Sequence, residues 1–371
     1  MSLSSSCVIL PQLACYCIHH SRTTMTHKKK DFYSLFDAMC RQDCPFVFFR
    51  LPNTKEVILY QQNSDTHYQS KELIEEGFVF APFHSTTIHT YIPNQQQQNL
   101  GIPNPINKKV DQTNNTDQLK ENYLELVQTA KNQIQESILQ KVVVSRKHTT
   151  TLSGTSGEAF GRLIAAYPDA MVYYWSHPKT GDWMGATPET LLHVQQKTLQ
   201  TMALAGTLPY LPENQPNWTK KEIEEQSMVV DFIHERLRRI FPKNSITLSD
   251  TYTKRAGNIV HLCADFRVPV GHVKTLELVR LLHPTPAVAG LPMKESVQFI
   301  TQNESHKRSF YAGFLGPIGK ESTRLYVNLR CAAVSPKELT LYVGGGITAD
   351  SSPQDEWQES QRKAETLLRV L

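Results

Sequence analysis

Lys141-Val142-Val143-Val144-Ser145-Arg146 is an apolar run typical of a buried β-strand, and a lysine opens it. The segment before it carries an apolar stripe at helical spacing: Tyr123, Val127, Ala130, Ile134 and Ile138. Downstream, strand-like runs and helical patterns follow one another without a regular βαβ repeat. This order predicts an α+β fold of layered sheets and helices rather than a doubly wound parallel sheet.

Length and composition indicate an ordinary globular protein. The 371 residues can bury a substantial core, with 40% apolar and 20% charged residues. The net charge of +4 is spread along the chain, which favours a solvated surface over a nucleic-acid patch. No apolar stretch reaches the roughly 18 residues of a membrane helix. The seven cysteines show no zinc or disulfide spacing, so we expect reduced thiols and a cytoplasmic location. The lack of an obvious exposed apolar stripe favours a monomer, and we expect neither a nucleic-acid nor a membrane partner.

The composition divides the chain into four predicted segments. Residues 1–24 are expected to be a disordered extension, with Met25 as an alternative start. Residues 25–92 contain short strand-like runs and form an N-terminal, strand-rich part of the fold. Residues 93–117 are rich in Gln, Asn and Pro and are predicted to be a flexible connection. Residues 118–371 form the main body.

Two predicted helices carry carboxylates beside their buried stripes. In residues 220–240 the stripe is Val229, Phe232, Ile233, Leu237 and Ile240. Continued one turn back, that stripe reaches Glu222 and Glu225. In the last helix, which begins at Pro353, Glu356, Glu359 and Lys363 cluster along one edge. Carboxylates that face a core need a cation or hydrogen bonds, and an all-oxygen set suits Mg²⁺ better than zinc. Solvated glutamates and surface ion pairs remain the alternatives at this point.

Several further residues could carry chemistry. Glu189 follows the turn Gly185-Ala186-Thr187-Pro188 and could act as an acid opposite a base at Lys141. Gly344-Gly345-Gly346 follows a strand predicted at 339–343, so it forms either a tight turn or a backbone site for an anion. Arg330, in a strand predicted at 326–332, needs an anionic partner, either a protein carboxylate or a ligand.

Two histidines have less specific settings. His283 opens a Pro-rich loop, His283-Pro284-Thr285-Pro286-Ala287-Val288-Ala289-Gly290. Loops of this type usually have the structural role of ending one helix or strand and connecting it to the next. His261 lies in an apolar run and is more typical of a core histidine than of a catalyst.

These segments, in this order, resemble the chorismate-utilising enzymes, which include isochorismate, salicylate, anthranilate and aminodeoxychorismate synthases. Seven motifs between Gln118 and the C-terminus carry the resemblance: residues 141–146, 185–192, 204–207, Glu225 with its helix, 283–290, 330–332 and 344–359. The resemblance implies an α+β, anthranilate synthase component I-like fold, with large antiparallel sheets layered with helices around a central site. It makes residues 118–371 the chorismate-binding catalytic domain.

The resemblance also implies a role for each matching residue. Lys141 would be the general base and Glu189 the general acid. Mg²⁺ would be the cofactor, held by Glu225 and Glu359, with Glu222 and Glu356 as supporting carboxylates. The implied substrate-binding residues are Gly206, Thr207, His283, Arg330, Gly344, Gly345 and Lys363. Gln226 and Ala289 depart from the family pattern, but neither removes a catalytic role.

Two positions distinguish the subfamilies. Lys141 stands where members that add water carry a lysine base, whereas ammonia-using anthranilate synthases have Gln. Ala205 stands where aminodeoxychorismate synthases carry a nucleophilic lysine. Together with the loop at His283, they imply an isomerase, an isochorismate synthase, which reversibly converts chorismate to isochorismate by attack of water at C2 and loss of the C4 hydroxyl. A salicylate synthase, which then eliminates pyruvate, is the alternative, and a non-catalytic chorismate-binding protein is a third. A menaquinone, siderophore or salicylate pathway is left open.

Overall fold

The computed structural model describes residues 31–84, 89–107 and 117–371, so the extension predicted at 1–24 lies outside the described residues. The α-helices are α1 (Phe32–Cys40), α2 (Asp117–Glu136), α3 (Ser156–Ala166), α4 (Lys220–Arg238), α5 (Thr275–Leu282), α6 (Met293–Asn303) and α7 (Pro353–Leu368), and a 3₁₀ turn spans Lys243–Ser245. The strands are β1 (Phe46–Arg50), β2 (Glu56–Gln61), β3 (Gln69–Ser70), β4 (Gly77–Ala81), β5 (His89–Pro93), β6 (Gln96–Gly101), β7 (Lys141–Thr151), β8 (Met171–Ser176), β9 (Asp182–Thr187), β10 (Thr190–Gln195), β11 (Thr198–Pro209), β12 (Thr247–Leu248), β13 (Tyr252–Ala256), β14 (Ile259–Pro269), β15 (Gly290–Leu291), β16 (Phe314–Ile318), β17 (Ser322–Val327), β18 (Cys331–Val334) and β19 (Glu338–Ile347).

Two large antiparallel sheets organise these strands. Sheet A has the order β15-β7-β19-β18-β9-β8-β1-β2-β6. Sheet B has the order β12-β14-β11-β10-β17-β16-β4-β5-β3, and β13 adds to it by pairing with β14. This arrangement confirms the predicted α+β fold of antiparallel sheets and helices.

The central strands β1, β8 and β9 of sheet A are buried on both faces, which explains why β1 and β8 are nearly continuous apolar runs. Val47 and Phe49 of β1 join one core together with residues of sheet B, whereas Phe46 and Phe48 join another core formed with α1, α3 and α7. Successive side chains of a strand point to opposite faces, so one strand supplies both cores.

Strands from the N-terminal part complete both sheets. β1 pairs with β8 in sheet A, and β4 pairs with β16 in sheet B. The prediction of a flexible connection at 93–117 is wrong for residues Gln96–Gly101, which form the edge strand β6 against β2. An edge strand needs backbone partners on one side only, and its exposed Gln and Asn side chains need no core. Residues 108–116 of this segment lie outside the described residues.

The chain changes sheets between β17 and β18, and Arg330 lies at this crossing. Arg330 was predicted inside a continuous strand, but β17 ends at Val327 in sheet B and β18 begins at Cys331 in sheet A. The backbone at Arg330 has a φ of 49°, a conformation that interrupts a strand. The crossing therefore directs this residue between the two sheets rather than along one of them.

Three smaller predictions were also wrong. Gly344, Gly345 and Gly346 lie within β19, paired with β7, rather than in a turn after it. Ile138 and Ile240 were assigned to buried stripes but are exposed, because α2 and α4 end before them.

No helix in the described part of the chain is long and apolar enough to cross a membrane.

Candidate active site

A cleft opens where the two sheets meet. Its walls come from β7 and β19 of sheet A, from β11 and β14 of sheet B and from the crossing at Arg330. Helix α4 packs on β11, and α7 packs on β19, so each sheet carries one acidic helix to the cleft. The predicted residues that line it are Glu189, Gly206, Thr207, Glu225, Arg330, Gly344, Gly345 and Lys363. Ala205, which separated the subfamilies, lines it as well.

Arg330 supplies a buried positive charge to the cleft. Its Nη2 donates to His261 Nε2 at 3.1 Å, and its Nε is buried without a hydrogen-bond partner. Burial and the nearby Arg330 charge together lower the pKa of His261 to about 3, so the imidazole is neutral. Its Nδ1 donates to the Gly206 carbonyl at 2.7 Å, which leaves Nε2 as the acceptor. A neutral acceptor thus holds Arg330 while leaving its charge for an anionic ligand.

The glycines of β19 permit side chains to approach the backbone closely. A Cβ atom on Gly346 would lie 2.6 Å from Glu225 Oε1 and 2.8 Å from Lys141 Cε. A Cβ on Gly345 would lie 2.8 Å from Glu356 Oε2. A side chain at either position would push these side-chain ends away, so glycine allows them to lie this close to the strand. The strand brings its backbone and the charged groups to one wall of the cleft.

Three lysine–glutamate pairs lie around this wall. Lys141 Nζ is 2.9 Å from Glu225 Oε1, and Lys363 Nζ is 2.7 Å from Glu359 Oε1. Lys363 also donates to the Gly344 carbonyl at 2.9 Å. The third pair joins Lys221 Nζ to Glu356 Oε1 at 2.7 Å. Lys141 is fully buried directly behind the cleft lining and reaches the cleft through Glu225 and Gly346.

The carboxylates act on one another electrostatically. Burial and the charge of Glu359 together raise the pKa of Glu356 to about 7, against the opposing effect of Lys221. For Lys221, burial opposes the charged form, yet Glu356, Glu359 and Glu225 together keep its pKa above the ordinary value. Three carboxylates from two helices therefore share one electrostatic environment.

This donor set fits the Mg²⁺ ion that the resemblance implies. Glu356 Oε2 is buried without a hydrogen-bond partner, and the carboxylates of Glu225 and Glu359 lie close by. Within residues 31–84, 89–107 and 117–371, no group of three or more His, Cys, Asp or Glu is arranged to hold a metal ion. A smaller set suffices for Mg²⁺, which usually keeps several waters and takes one or two protein carboxylates.

Glu189 is a buried acid in the same cleft. It is 3% exposed, and burial raises its pKa to about 7 against the opposing charges of Lys254, Arg330, Lys141 and Lys363. Its backbone is fixed because its carbonyl accepts from Val327 N at 3.0 Å. A carboxyl group that still carries a proton near neutral pH can serve as a general acid.

Five predicted residues do not line the cleft: Lys141, Glu356 and Glu359, which belong to the three pairs around its wall, and His283 and Glu222, which lie apart from it. His283 is buried beside Phe314, with ring centroids 5.2 Å apart, and is not among the lining residues. Glu222 turns to the start of α4, where its Oε2 accepts from the Thr219 backbone N–H at 3.0 Å. His283 and Glu222 lie in or beside sequence segments that match the family, but tertiary packing decides where each side chain points.

The structure adds residues that the sequence analysis did not assign to the site. His261 links Arg330 to Gly206, and Tyr311 and Tyr342 line the cleft. Lys221 could have been found, since it lies one helical turn before Glu225 and thus on the same side of α4. The tyrosines carry no comparable signal, because aromatic residues in such runs are ordinary core residues.

Comparison with known proteins agrees with this geometry. A family model described as "Chorismate binding enzyme" matches residues 49–371. The chain is 30% identical over 264 residues to the isochorismate synthase MenF of Escherichia coli K12, covering 68% of this chain and 60% of that relative. It is 30% identical over 207 residues to MenF of Haemophilus influenzae, covering 53% of this chain and 48% of the relative. The chain thus spans between about half and three fifths of the length of these curated relatives.

Two solved structures share the fold. The structure of Escherichia coli MenF, the menaquinone-specific isochorismate synthase, matches with a TM-score of 0.75 at 22% identity, over 90% of both chains. Anthranilate synthase component I of Streptococcus pneumoniae matches with a TM-score of 0.67 at 17% identity, over 88% of this chain and 92% of that one. Since the family model matches most of its length, the chain belongs to the chorismate binding enzyme family.

Proposed function

We propose that the chain is an isochorismate synthase, which reversibly converts chorismate to isochorismate. The observation that carries the proposal is the presence of Lys141 and Glu189 at one cleft whose wall has Ala205 and no nucleophilic lysine at that position. Water is then the nucleophile that remains. The sequence similarity to two proteins named isochorismate synthase supports the proposal.

The reaction requires one proton to be removed and one to be supplied. As the general base, Lys141 takes a proton from the water whose oxygen bonds to C2. Glu189 gives a proton to the C4 hydroxyl as the C4–O bond breaks. One water enters and one leaves, so the net change is an isomerisation, and the same groups in exchanged roles serve the reverse reaction.

The remaining residues hold the anionic substrate. Arg330 and Lys363 present positive charge, and both line the cleft beside the β19 glycines. The segment at Gly206 and Thr207 offers polar groups on the facing wall. Glu225 and Glu359, with Glu356 nearby, would hold Mg²⁺, which when bound supplies positive charge to a substrate carboxylate.

The product distinguishes this function from its alternatives. Incubated with chorismate and Mg²⁺, the protein is expected to form isochorismate alone, measured by chromatographic separation, and to return chorismate when isochorismate is supplied. Salicylate with pyruvate would instead identify a salicylate synthase. An aminated product with ammonium would contradict both functions, and binding without turnover would indicate a non-catalytic protein.

The metal assignment has its own test. Glu225→Gln removes a charged ligand oxygen, so Mg²⁺ binding measured by titration calorimetry should weaken at least about 100-fold, because even residues that only support metal ligands cost 10–100-fold. Turnover should fall together with affinity. Glu224→Gln is the matched control, since Glu224 is half-exposed on the same helix and paired only with Lys220 at the surface. An unchanged Mg²⁺ titration in Glu225→Gln would place the ion elsewhere.

A further inference from the structure

A second cavity lies behind the cleft and shares two of its residues. Pro188 and Arg330 line both spaces. The second cavity has a volume of about 210 Å³ and is enclosed by residues 166–170 between α3 and β8, by residues 254–257 of β13 and its turn, and by Thr366 of α7. Ala166, Pro168 and Asp169 are exposed at its rim, whereas Ala186, Arg330 and Thr366 are buried. It is therefore open to solvent on a side formed by elements other than the cleft walls.

Two cations without carboxylate partners lie at this cavity. Arg330 is 8% exposed, and its Nε has no hydrogen-bond partner. Lys254 Nζ donates to the Pro188 carbonyl at 3.2 Å and lies 3.4 Å from Met202 Sδ. Neither forms an ion pair with an Asp or Glu of residues 31–84, 89–107 or 117–371. Lys254 is partly buried and Arg330 is buried, so an acceptor for the unpartnered Arg330 Nε is favourable here, and an anionic ligand can supply it.

Buried carboxyl groups of the cleft act on these cations through space, Glu189 on both and Glu359 on Arg330, but none forms an ion pair with either. Asp169, the acidic residue that lines the cavity, is exposed at the rim. Arg255 is turned away, because its Nε donates to the Gly257 carbonyl at 2.9 Å and its guanidinium lies 3.8 Å from the centre of the Tyr210 ring. The cavity thus combines a cationic floor with a mostly neutral wall.

The wall is small and largely apolar. It includes Ala170, Ala186, Ala256 and the ring of Tyr167. Gly257 leaves space for that ring, since a Cβ there would lie 2.9 Å from Tyr167 Cε1. Burial raises the pKa of the Tyr167 phenol to about 12, so it adds no negative charge. The space corresponds to about seven waters at roughly 30 Å³ each.

We propose that this cavity binds a small monocarboxylate with an apolar body, its carboxylate held by Lys254 and Arg330. The site is distinct from the proposed catalytic cleft, although the two share Arg330. An anion bound here contacts the same Arg330 guanidinium that lines the cleft. Binding in the cavity therefore changes the affinity of the cleft for an anion, and binding in the cleft changes the affinity of the cavity by the same factor.

Benzoate is the probe, titrated calorimetrically into the full chain without chorismate, so the result does not depend on turnover. The unsubstituted protein is expected to bind it. Lys254→Met should weaken binding at least about tenfold, because it removes a charge-assisted hydrogen bond. Ala256→Leu, which fills the cavity, should abolish it. Lys179→Met, the loss of an exposed lysine outside the cavity, should leave it unchanged.

Ala205→Phe separates this cavity from the cleft, because Ala205 lines only the cleft. Benzoate binding should survive this substitution. Absence of binding to the unsubstituted protein would overturn the proposal. Binding that is lost in Ala205→Phe but kept in Lys254→Met and Ala256→Leu would also overturn it, by locating benzoate in the cleft. Thermal unfolding shows whether each variant is folded. If Ala256→Leu does not fold, Lys254→Met provides the decisive comparison.

Discussion

Lys141→Ala is expected to lower kcat by about 10²–10⁴-fold, the range that a general base contributes, while the protein stays folded. The side chain is fully buried, and its ammonium lies 2.9 Å from Glu225 behind the cleft wall. Lys221 and Lys363 are each paired with a different carboxylate, so neither can replace Lys141 as the base without leaving that partner. Turnover of chorismate is the measurement, and near-ultraviolet circular dichroism reports on the folding of the variant.

Lys147→Ala is the matched control for this substitution. Lys147 lies on the same strand, an even number of residues away and so on the same face, but its Nζ lies over the Tyr342 ring at 5.5 Å instead of beside a carboxylate. It should lose much less activity than Lys141→Ala. Retention of wild-type turnover by Lys141→Ala would disprove the assignment of Lys141 as the base. Equal losses of turnover in the two variants would indicate that shortening a lysine on this face of β7 disturbs the strand itself.

The acidic part of the site could be predicted because helical periodicity relates sequence to space directly. On α4 the buried residues Val229, Phe232 and Ile233 fix which side faces the protein, and the same side carries Glu225 one turn earlier. The apolar run at 141–146 likewise showed that Lys141 lies in a buried strand. The resemblance then supplied the roles, which periodicity alone left open between ligands and ordinary salt bridges.

Features that depend on partners distant in sequence could not be predicted. The β19 glycines pack against Lys141, Glu225 and Glu356, so nothing local distinguishes this strand from a turn. Arg330 lies in a run with strand propensity on both sides, and the change of sheet is imposed by the pairing of β17 and β18 with different neighbours. His261 could be a core residue or a site residue until its two hydrogen-bond partners are known. Such cases reflect tertiary context overriding local pattern.

Glu189→Gln is expected to lower kcat by about 10²–10⁴-fold, because glutamine keeps the size of the side chain but cannot give up a proton to the departing hydroxyl. The wild-type pH profile carries a second expectation. Burial raises the pKa of Glu189 to about 7, so the acid form prevails below that pH and is lost above it. The kcat/KM of the wild-type enzyme should therefore fall as the pH rises through about 7, and this limb should be absent in Glu189→Gln.

Stability provides a readout of the same group that does not depend on turnover. The folded pKa of Glu189 lies above the value of 4.5 expected in the unfolded chain, so the wild-type protein loses stability as pH rises from about 4.5 to 7. Glutamine does not titrate, so the unfolding free energy of Glu189→Gln relative to wild type should increase over that interval. Glu224→Gln is the control, since Glu224 is a half-exposed carboxyl on α4 that lies outside the cleft lining and pairs with Lys220 at the surface. If the difference between Glu189→Gln and wild type were constant from pH 4.5 to 7, Glu189 would be ionised throughout, and the proton for the leaving hydroxyl would have to come from another group.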